Sequence, residues 1–288
     1  MVITGDNSQL GFRGMGFPLF TSIPPKSDFR PIIRNWEAAG FHPISINNRP
    51  EAQELLGSGI EIIPVEDANP KLSLRDILNV IPRRAQTRAG LINADCRFID
   101  RFSATTLPEI SAKSLILAER IDIDQHGRPV PYLPSGFDAM FFDVEIIGSL
   151  EPHRDYRLGM PWWDYWLPIA VSKAHHKVHR LECPILLHTA HDSQWDEAAW
   201  RRNAELFIAD FKTSDLDPVK VSADTFHELL AMETVPVSGL PRDIRLYLAY
   251  LHDCIRENDR LGRQLDLVTS SRAYRATEPI RRLSRWLR

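Results

Sequence analysis

The spacing of the apolar residues changes repeatedly over the first hundred positions, and that alternation constrains the fold more than any other feature of the chain. Pro18 to Ile23 is a short apolar run stopped by Pro24 and Pro25. Ser27 or Asp28 can then cap a helix that puts Phe29, Ile32, Ile33 and Trp36 on one face and ends at Gly40. His42 to Asn47 alternates as a second strand. Pro50 to Leu56 suits a short helix opened by proline and stopped by Gly57, and the β-branched run Ile60 to Val65 suits a third strand. Ser73 with Asp76 makes a capping-box-like start for Leu74, Ile77, Leu78 and Ile81, and Pro82 closes that segment. Leu91 to Asp95 is the fourth strand. Short strands alternating with helices predict an α/β fold with a doubly wound sheet.

Beyond residue 100 the pattern is less regular. Leu115 to Asp124 sets Ile121 and Ile123 against Arg120, Asp122 and Asp124, as in a strand with one exposed face, and Ala139 to Ile147 is a further strand. Pro161 opens a helix carrying Trp162, Trp163, Asp164, Tyr165 and Trp166. Pro184 to Thr189 is a buried strand that delivers His188 and His191. Ser193 with Asp196 then caps a helix through Phe211. The remainder is expected to be helical, with Ile244, Leu248, Leu251 and Ile255 on one helix ended by Gly262. The division that follows is residues 1–212 as a sheet-based domain and 213–288 as a helical C-terminal region with a basic tail.

The balance of 35 Lys and Arg against 38 Asp and Glu, a net charge of −3, argues against general nucleic-acid binding. Three widely spaced cysteines make no disulfide framework, which points to a reducing cytoplasm. No signal peptide and no membrane-spanning run is visible. The tail from Arg272 holds six arginines against one glutamate. With Ile280, Leu283, Trp286 and Leu287 it can be an interfacial anchor at the inner face of a membrane or a plain surface helix.

Parallel strands bind ligands beyond their carboxyl ends, so residues that close strands are the first candidates for chemistry. Asn93 and Asp95 end the fourth strand and can offer oxygen ligands to a divalent cation that also holds a diphosphate. His191 closes a later strand and can complete the coordination. Asp164 sits in the first turn of the aromatic helix, where rings around a carboxylate can raise its pKa and suit it to general-base work. Trp162 and Trp163 are candidates to stack on sugar faces. Asp138 stands at a strand entrance, within reach of a sugar hydroxyl. Asn47, Arg49 and Asp67 follow the second and third strands, and Arg84 and Arg88 precede the fourth, where they can neutralise a diphosphate. His175, His176 and His179 have helical ligand spacing but lack the glutamate of a zinc-protease motif. Gly-x-Ser-x-Gly and the phosphate-cradling glycine motifs are absent.

The order of these features resembles the nucleotide-diphospho-sugar transferases, the GT-A glycosyltransferases. The likeness is carried by Thr21 to Pro25, by Asn35-Trp36, by Ile92-Asn93-Ala94-Asp95, by Ser135 to Phe142, and most specifically by Leu158-Gly159-Met160-Pro161-Trp162-Trp163-Asp164-Tyr165-Trp166-Leu167. It covers residues 15–212. The Leu158 to Leu167 segment is similar to one found in glycosyltransferase-like proteins of bacterial polysaccharide gene clusters. The resemblance implies a GT-A-like doubly wound mixed sheet flanked by helices, with a helical C-terminal extension. It also implies transfer of a sugar from a nucleotide-diphosphate donor to a glycan or lipid-linked acceptor in polysaccharide biosynthesis. Thr21, Asn47, Arg49, Asp67, Arg88, Asn93, Asp95, Trp162 and Trp163 would contact the donor. Asp95 and His191 would hold Mg²⁺ or Mn²⁺, and Asp164 and Asp138 would act at the reacting centre. Asn93 departs from the family by replacing the first carboxylate of the Asp-x-Asp pair, which weakens cation affinity. Two alternatives follow: a non-catalytic sugar-nucleotide or glycan-binding protein, and a metal-dependent hydrolase using His188, His191 and Asp192.

Overall fold

The chain is described by a computed structural model over residues 16–25, 28–130, 136–191 and 196–270. Ser27, Ser135, Asp192, Ser193 and the tail from Arg272, all weighed above, lie outside the described residues.

The first hundred residues form β1 (Phe17–Thr21), α1 (Arg30–Ala38), β2 (Phe41–Asn48), α2 (Arg49–Glu54), β3 (Glu61–Val65), α3 (Leu74–Val80), β4 (Arg88–Ile92) and β5 (Cys96–Phe98). Then follow β6 (Ser114–Ala118), β7 (Arg120–Ile123), β8 (Ala139–Asp143), α4 (Trp163–Lys173), β9 (Lys177–Leu181) and β10 (Leu186–Thr189). The chain continues through α5 (Glu197–Phe211), α6 (Pro218–Leu230), β11 (Glu233–Val235) and α7 (Arg242–Ser270). The large sheet has eight strands in the order β11-β9-β6-β8-β4-β1-β2-β3. It is mixed: β8 runs antiparallel to both neighbours, β4 and β6, while the other pairs are parallel. A small second sheet, β5-β10-β7, stands beside it.

Packing explains the centre of the large sheet. A Cβ on Gly90 would lie 2.7 Å from Leu19 Cδ1 and 3.0 Å from a Phe141 ring carbon, so only glycine lets β4 sit between them. Trp36 and Phe141 are fully buried, and truncating such aromatics costs about 3–5 kcal/mol. Helix α1 also fixes the segment after β4. Trp36 Nε1 donates to the Cys96 carbonyl at 2.9 Å, and Asn35 exchanges two bonds with the Phe98 backbone at 2.7 and 3.1 Å. The Asn93 to Asp95 turn is therefore held from the α1 side.

Several local expectations give way to tertiary structure. Helix α1 has Phe29 rather than Asp28 at its cap, and Ser73 makes no side-chain capping bond to α3. The run Leu115 to Asp124 is two strands in two sheets, and Asp122 is buried rather than exposed, because it is neutralised by neighbours described below. Ala139 to Ile147 remains a strand only to Asp143, then tightens into a 3-10 turn over Val144–Ser149. The C-terminal region adds strand β11 to the edge of the large sheet, beside β9. Helix α7 runs through Gly262 to Ser270, so the roughly 1 kcal/mol cost of a mid-helix glycine does not end it. Among the described residues no helix is long and apolar enough to cross a membrane.

Candidate functional site

Strands β1, β2, β3 and β4 are parallel, so Thr21, Asn47, Asp67 and Asn93 leave the sheet at one edge. Antiparallel β8 begins at that edge, with Ala139 opposite Ile92 and Ala118. The Asn93 N–H donates to the Asp138 carbonyl at 2.9 Å. Strand β6 ends there too, and its continuation places Arg120 against the same corner.

The small sheet supplies the other half of the site. Strand β10 lies between β7 and β5 in a register that sets His188 across from Asp122 on one side and from Cys96 on the other. One row of the three-stranded sheet therefore aligns Asp122, His188 and Cys96, and Asp95 comes just before that row. His188 Nδ1 lies 2.6 Å from Asp122 Oδ1. His188 Nε2 lies 3.4 Å from Asp95 Oδ2 and 3.3 Å from His191 Nε2, and His191 Nε2 lies 3.3 Å from the same Asp95 oxygen. Asp95, His188 and His191 thus each bring one ligand atom within 4.8 Å of the others and could hold a metal ion.

Arg120 joins the two halves. Its guanidinium pairs with Asp138 Oδ2 and lies 3.1 Å from Asp122 Oδ1, while Asp138 Oδ1 accepts from Asn93 Nδ2. The side chains of Asp122 and Asp138 are 2% and 4% exposed, against 47% for Asp95 and 42% for His191, so the cluster runs from the interior to an open mouth. Each buried ion costs several kcal/mol unless it is paired. This chain of partners meets that requirement.

The electrostatics differ along the cluster. Burial opposes ionisation of Asp95, but the hydrogen bonds from His188 and His191 and the His188 charge outweigh it and hold the carboxyl well below the usual range. Burial works against charge on His188 as well, yet bonds to Asp122 and Asp95 push its pKa up to about 9. Asp164 goes the other way. Burial, reinforced by the Asp138 charge and only partly offset by Arg120, raises its pKa to about 7.

Helix α4 brings Asp164 into that field. Trp162 stands at its N-cap with φ of +77°, a left-handed conformation costing on the order of 1–3 kcal/mol, and Asn203 Nδ2 ties down the preceding Pro161 carbonyl at 2.9 Å. Pro168, four residues after Asp164, has no N–H to offer the Asp164 carbonyl. Trp162 and Trp163 do not line a cleft. Both are 2% exposed, and Trp162 packs against Trp200 and Phe207 with ring centroids 5.4 and 5.0 Å away, because α4 is covered by α5 and α6.

The remaining expected contacts divide. Asn47 is fully buried and committed to the Ile23 carbonyl, Ser45 and Glu51, so it braces the β1 and β2 ends. Thr21 is buried at the edge beside it. Arg49 is exposed and pairs with Glu66. Asp67 accepts from the Asn69 and Ser73 backbone and from Arg157. Arg88 is at the start of β4, the opposite end from Asp95, 3.5 Å from Glu109; Arg84 lies 3.6 Å from Glu61. His176 bonds Ser149 and His179 faces Glu233, so the helical histidine group does not converge.

Arg120 and Asp122 carry no sequence signal beyond an alternation that suggests solvent exposure. Lys71 has none either. Its ammonium donates to the Gly159 carbonyl at 3.1 Å; burial lowers its pKa, and attraction to Asp95 opposes that shift. The Lys71 ammonium therefore lies within electrostatic reach of the open carboxylate.

No protein-family model and no curated protein matches the chain. Among solved structures, it is similar to HddC from Yersinia pseudotuberculosis at 14% identity, over 49% of this chain and 81% of that one, with a TM-score of 0.33. The same protein complexed with GMP-PN overlaps to the same extent. An overlap this partial carries neither fold nor ligand across.

Proposed function

We propose that the protein is a GT-A-type glycosyltransferase that moves a sugar from a nucleotide-diphosphate donor to a glycan or lipid-linked acceptor. The observation that carries this reading is the meeting of Asn93, Asp95 and Asp138 at one sheet edge, with a histidine pair on Asp95 and with Asp164 of α4 in the field of Asp138.

Asp95 and His191 face outward and, with the buried His188 behind them, can take a divalent cation. When bound, such an ion supplies Lewis-acid stabilisation of a departing diphosphate. Lys71, within electrostatic reach of Asp95, adds positive charge that favours the charge developing on the leaving group. Asp164, with a pKa of about 7, is suited to accept the proton of an acceptor hydroxyl near neutral pH. Asp138 has both oxygens engaged, by Asn93 and Arg120, and is a positioning residue: it orients Asn93 and keeps Asp164 basic. Asn93 is turned toward Asp138, so the position where the family has a first carboxylate serves the interior of the site here.

Calorimetric titration of UDP, GDP, CDP and dTDP, with and without Mn²⁺, tests the reading on the wild type and Asp95→Ala. Tight binding of one nucleotide that depends on Mn²⁺ and on Asp95 is expected. Absence of binding by all four would remove the donor site. The two imidazoles favour one second reading, a metal-dependent hydrolase. It predicts breakdown of a nucleotide-sugar without acceptor at the rate seen with acceptor present.

A further inference from the structure

We infer that Asp95, His188 and His191 form a two-histidine, one-carboxylate site selective for a transition-metal ion such as Zn²⁺ over Mg²⁺, with His188 a full ligand. The inference rests on the cation site assigned to Asp95 above and changes its chemistry.

Three distances define the centre. The edges of the triangle between His188 Nε2, His191 Nε2 and Asp95 Oδ2 are 3.4, 3.3 and 3.3 Å. Zinc bonds imidazole nitrogen and carboxylate oxygen at about 2.0–2.1 Å, and tetrahedral ligands at that radius stand about 3.3–3.4 Å apart. Octahedral ligands at a similar radius, the arrangement Mg²⁺ demands, would be closer, at about 3.0 Å. The edges are also longer than the roughly 2.7–2.9 Å of a charge-assisted hydrogen bond. The bond behind the site is short by comparison: His188 Nδ1 is 2.6 Å from Asp122. The three front atoms are therefore at the long end of hydrogen-bonding distance and spaced so that they can share one ion.

Asp122 supplies what a ligating histidine needs from the rear. A carboxylate on Nδ1 fixes the ring and leaves Nε2 directed at the metal, the second-shell arrangement common to histidine-ligated ions. Arg120 in turn lies 3.1 Å from Asp122 Oδ1 and holds that carboxylate in place behind the ring. His188 is 8% exposed and rigidly held, while Asp95 and His191 are nearly half exposed. One side of the triangle is closed and the other open to water or a substrate oxygen, the form of a reactive rather than a purely structural site. Two imidazoles suit a transition metal such as Zn²⁺, whereas Mg²⁺ selects oxygen donors.

The test uses the full chain, stripped with a chelator and titrated with Zn²⁺ and separately with Mg²⁺ in the absence of nucleotide. One Zn²⁺ per chain is expected, undisturbed by a hundredfold excess of Mg²⁺. The Co²⁺-loaded chain should show the intense visible absorption of a four- or five-coordinate site. His188→Gln and His191→Gln should each weaken Zn²⁺ at least tenfold, and Asp122→Asn should weaken it about 10- to 100-fold. Equal affinity for Mg²⁺, or Zn²⁺ binding untouched in both histidine variants, would overturn the inference. The wild-type Zn²⁺ and Mg²⁺ comparison stands even if a variant does not fold. Zinc binding without any nucleotide binding would keep this site and end the transferase reading. Nucleotide binding supported by Mg²⁺ alone would do the reverse.

Discussion

Glu119 and Arg120 are neighbours in sequence, and each is the start of a buried ion cluster, but the two clusters are built to different ends. Glu119, 2% exposed, pairs with Arg180 of β9 at 2.5 Å, and its backbone carbonyl receives Ile185 and Leu186 N–H groups. Nearby, Glu182 pairs with Arg245 of α7 at 2.5 Å and accepts the Val237 N–H at 3.1 Å. In each of these pairs one acid faces one base, and the pairs tie strand ends and a helix start together. Around Arg120 the carboxylates Asp95, Asp122 and Asp138 gather with His188, and the cluster opens to solvent through Asp95 and His191. Charge burial is costly in both places. A closed pair with matched charge is explained by architecture. A cluster with excess carboxylate and an open end is what the proposed cation would complete.

The sharpest way to break this comparison is to cut each cluster and look for opposite losses. Arg180→Met leaves the Glu119 carboxylate buried without its guanidinium, and removing one partner of such a pair costs about 3–5 kcal/mol. Urea denaturation should show that loss, while the protein that remains folded binds ligand normally. Asp95→Ala should do the opposite: at least a hundredfold loss of metal-dependent nucleotide affinity, with a urea midpoint close to the wild type because half of that side chain already meets solvent. If Arg180→Met weakens ligand binding as strongly as Asp95→Ala, the two clusters are one functional unit.

A smaller effect, on turnover rather than binding, is expected at Asp164. The variant Asp164→Asn should reduce kcat by about 10²–10⁴-fold and leave nucleotide affinity unchanged, the signature of a lost general base. In the wild type, kcat should rise with pH through about 7 as the carboxyl ionises; the variant should lack that rise. Stability carries the opposite sign. The folded-state pKa is raised, so the favourable contribution is complete below the ordinary carboxylate pKa of about 4 and is lost as pH rises through about 7. Urea midpoints should accordingly fall between pH 5 and 8 in the wild type and stay flatter in Asp164→Asn. A wild-type kcat that is flat across pH 6 to 8 would remove Asp164 from the proton-transfer role.

What the sequence makes legible here is what depends on local spacing. The alternating units up to β4 are written in residues a few positions apart, and strand-end carboxylates such as Asp95 follow from them. Asp138 and Asp164 are also visible, as a strand entrance and a helix start. Arg120, Asp122 and the alignment of His188 are not, because they depend on pairing among strands at residues 96–98, 120–123 and 186–189, and no local period encodes that register. Alternation along Ile121 to Asp124 reads as an exposed face unless a second sheet is known to cover it. The tryptophans of α4 mislead for the converse reason. A helix covered on nearly every side has no polar face to betray it, so Trp162 and Trp163 look like spare aromatic surface when they are core.

The mildest expected change sharpens the division inside the open cluster between residues that act and residues that hold. Asp138 has no free oxygen, and its charge raises the pKa of Asp164 while Arg120 lowers it. Asp138→Asn removes the raising charge and leaves Arg120 less neutralised, and both effects favour the ionised form of Asp164. The midpoint of the pH–kcat profile should therefore move to lower pH, by about one unit for a single nearby charge. A structural role alone would lower the whole profile without moving its midpoint. A midpoint that stays near 7 would show that burial by itself sets the Asp164 carboxyl, and Asp138 would then belong with Asn93 as part of the frame.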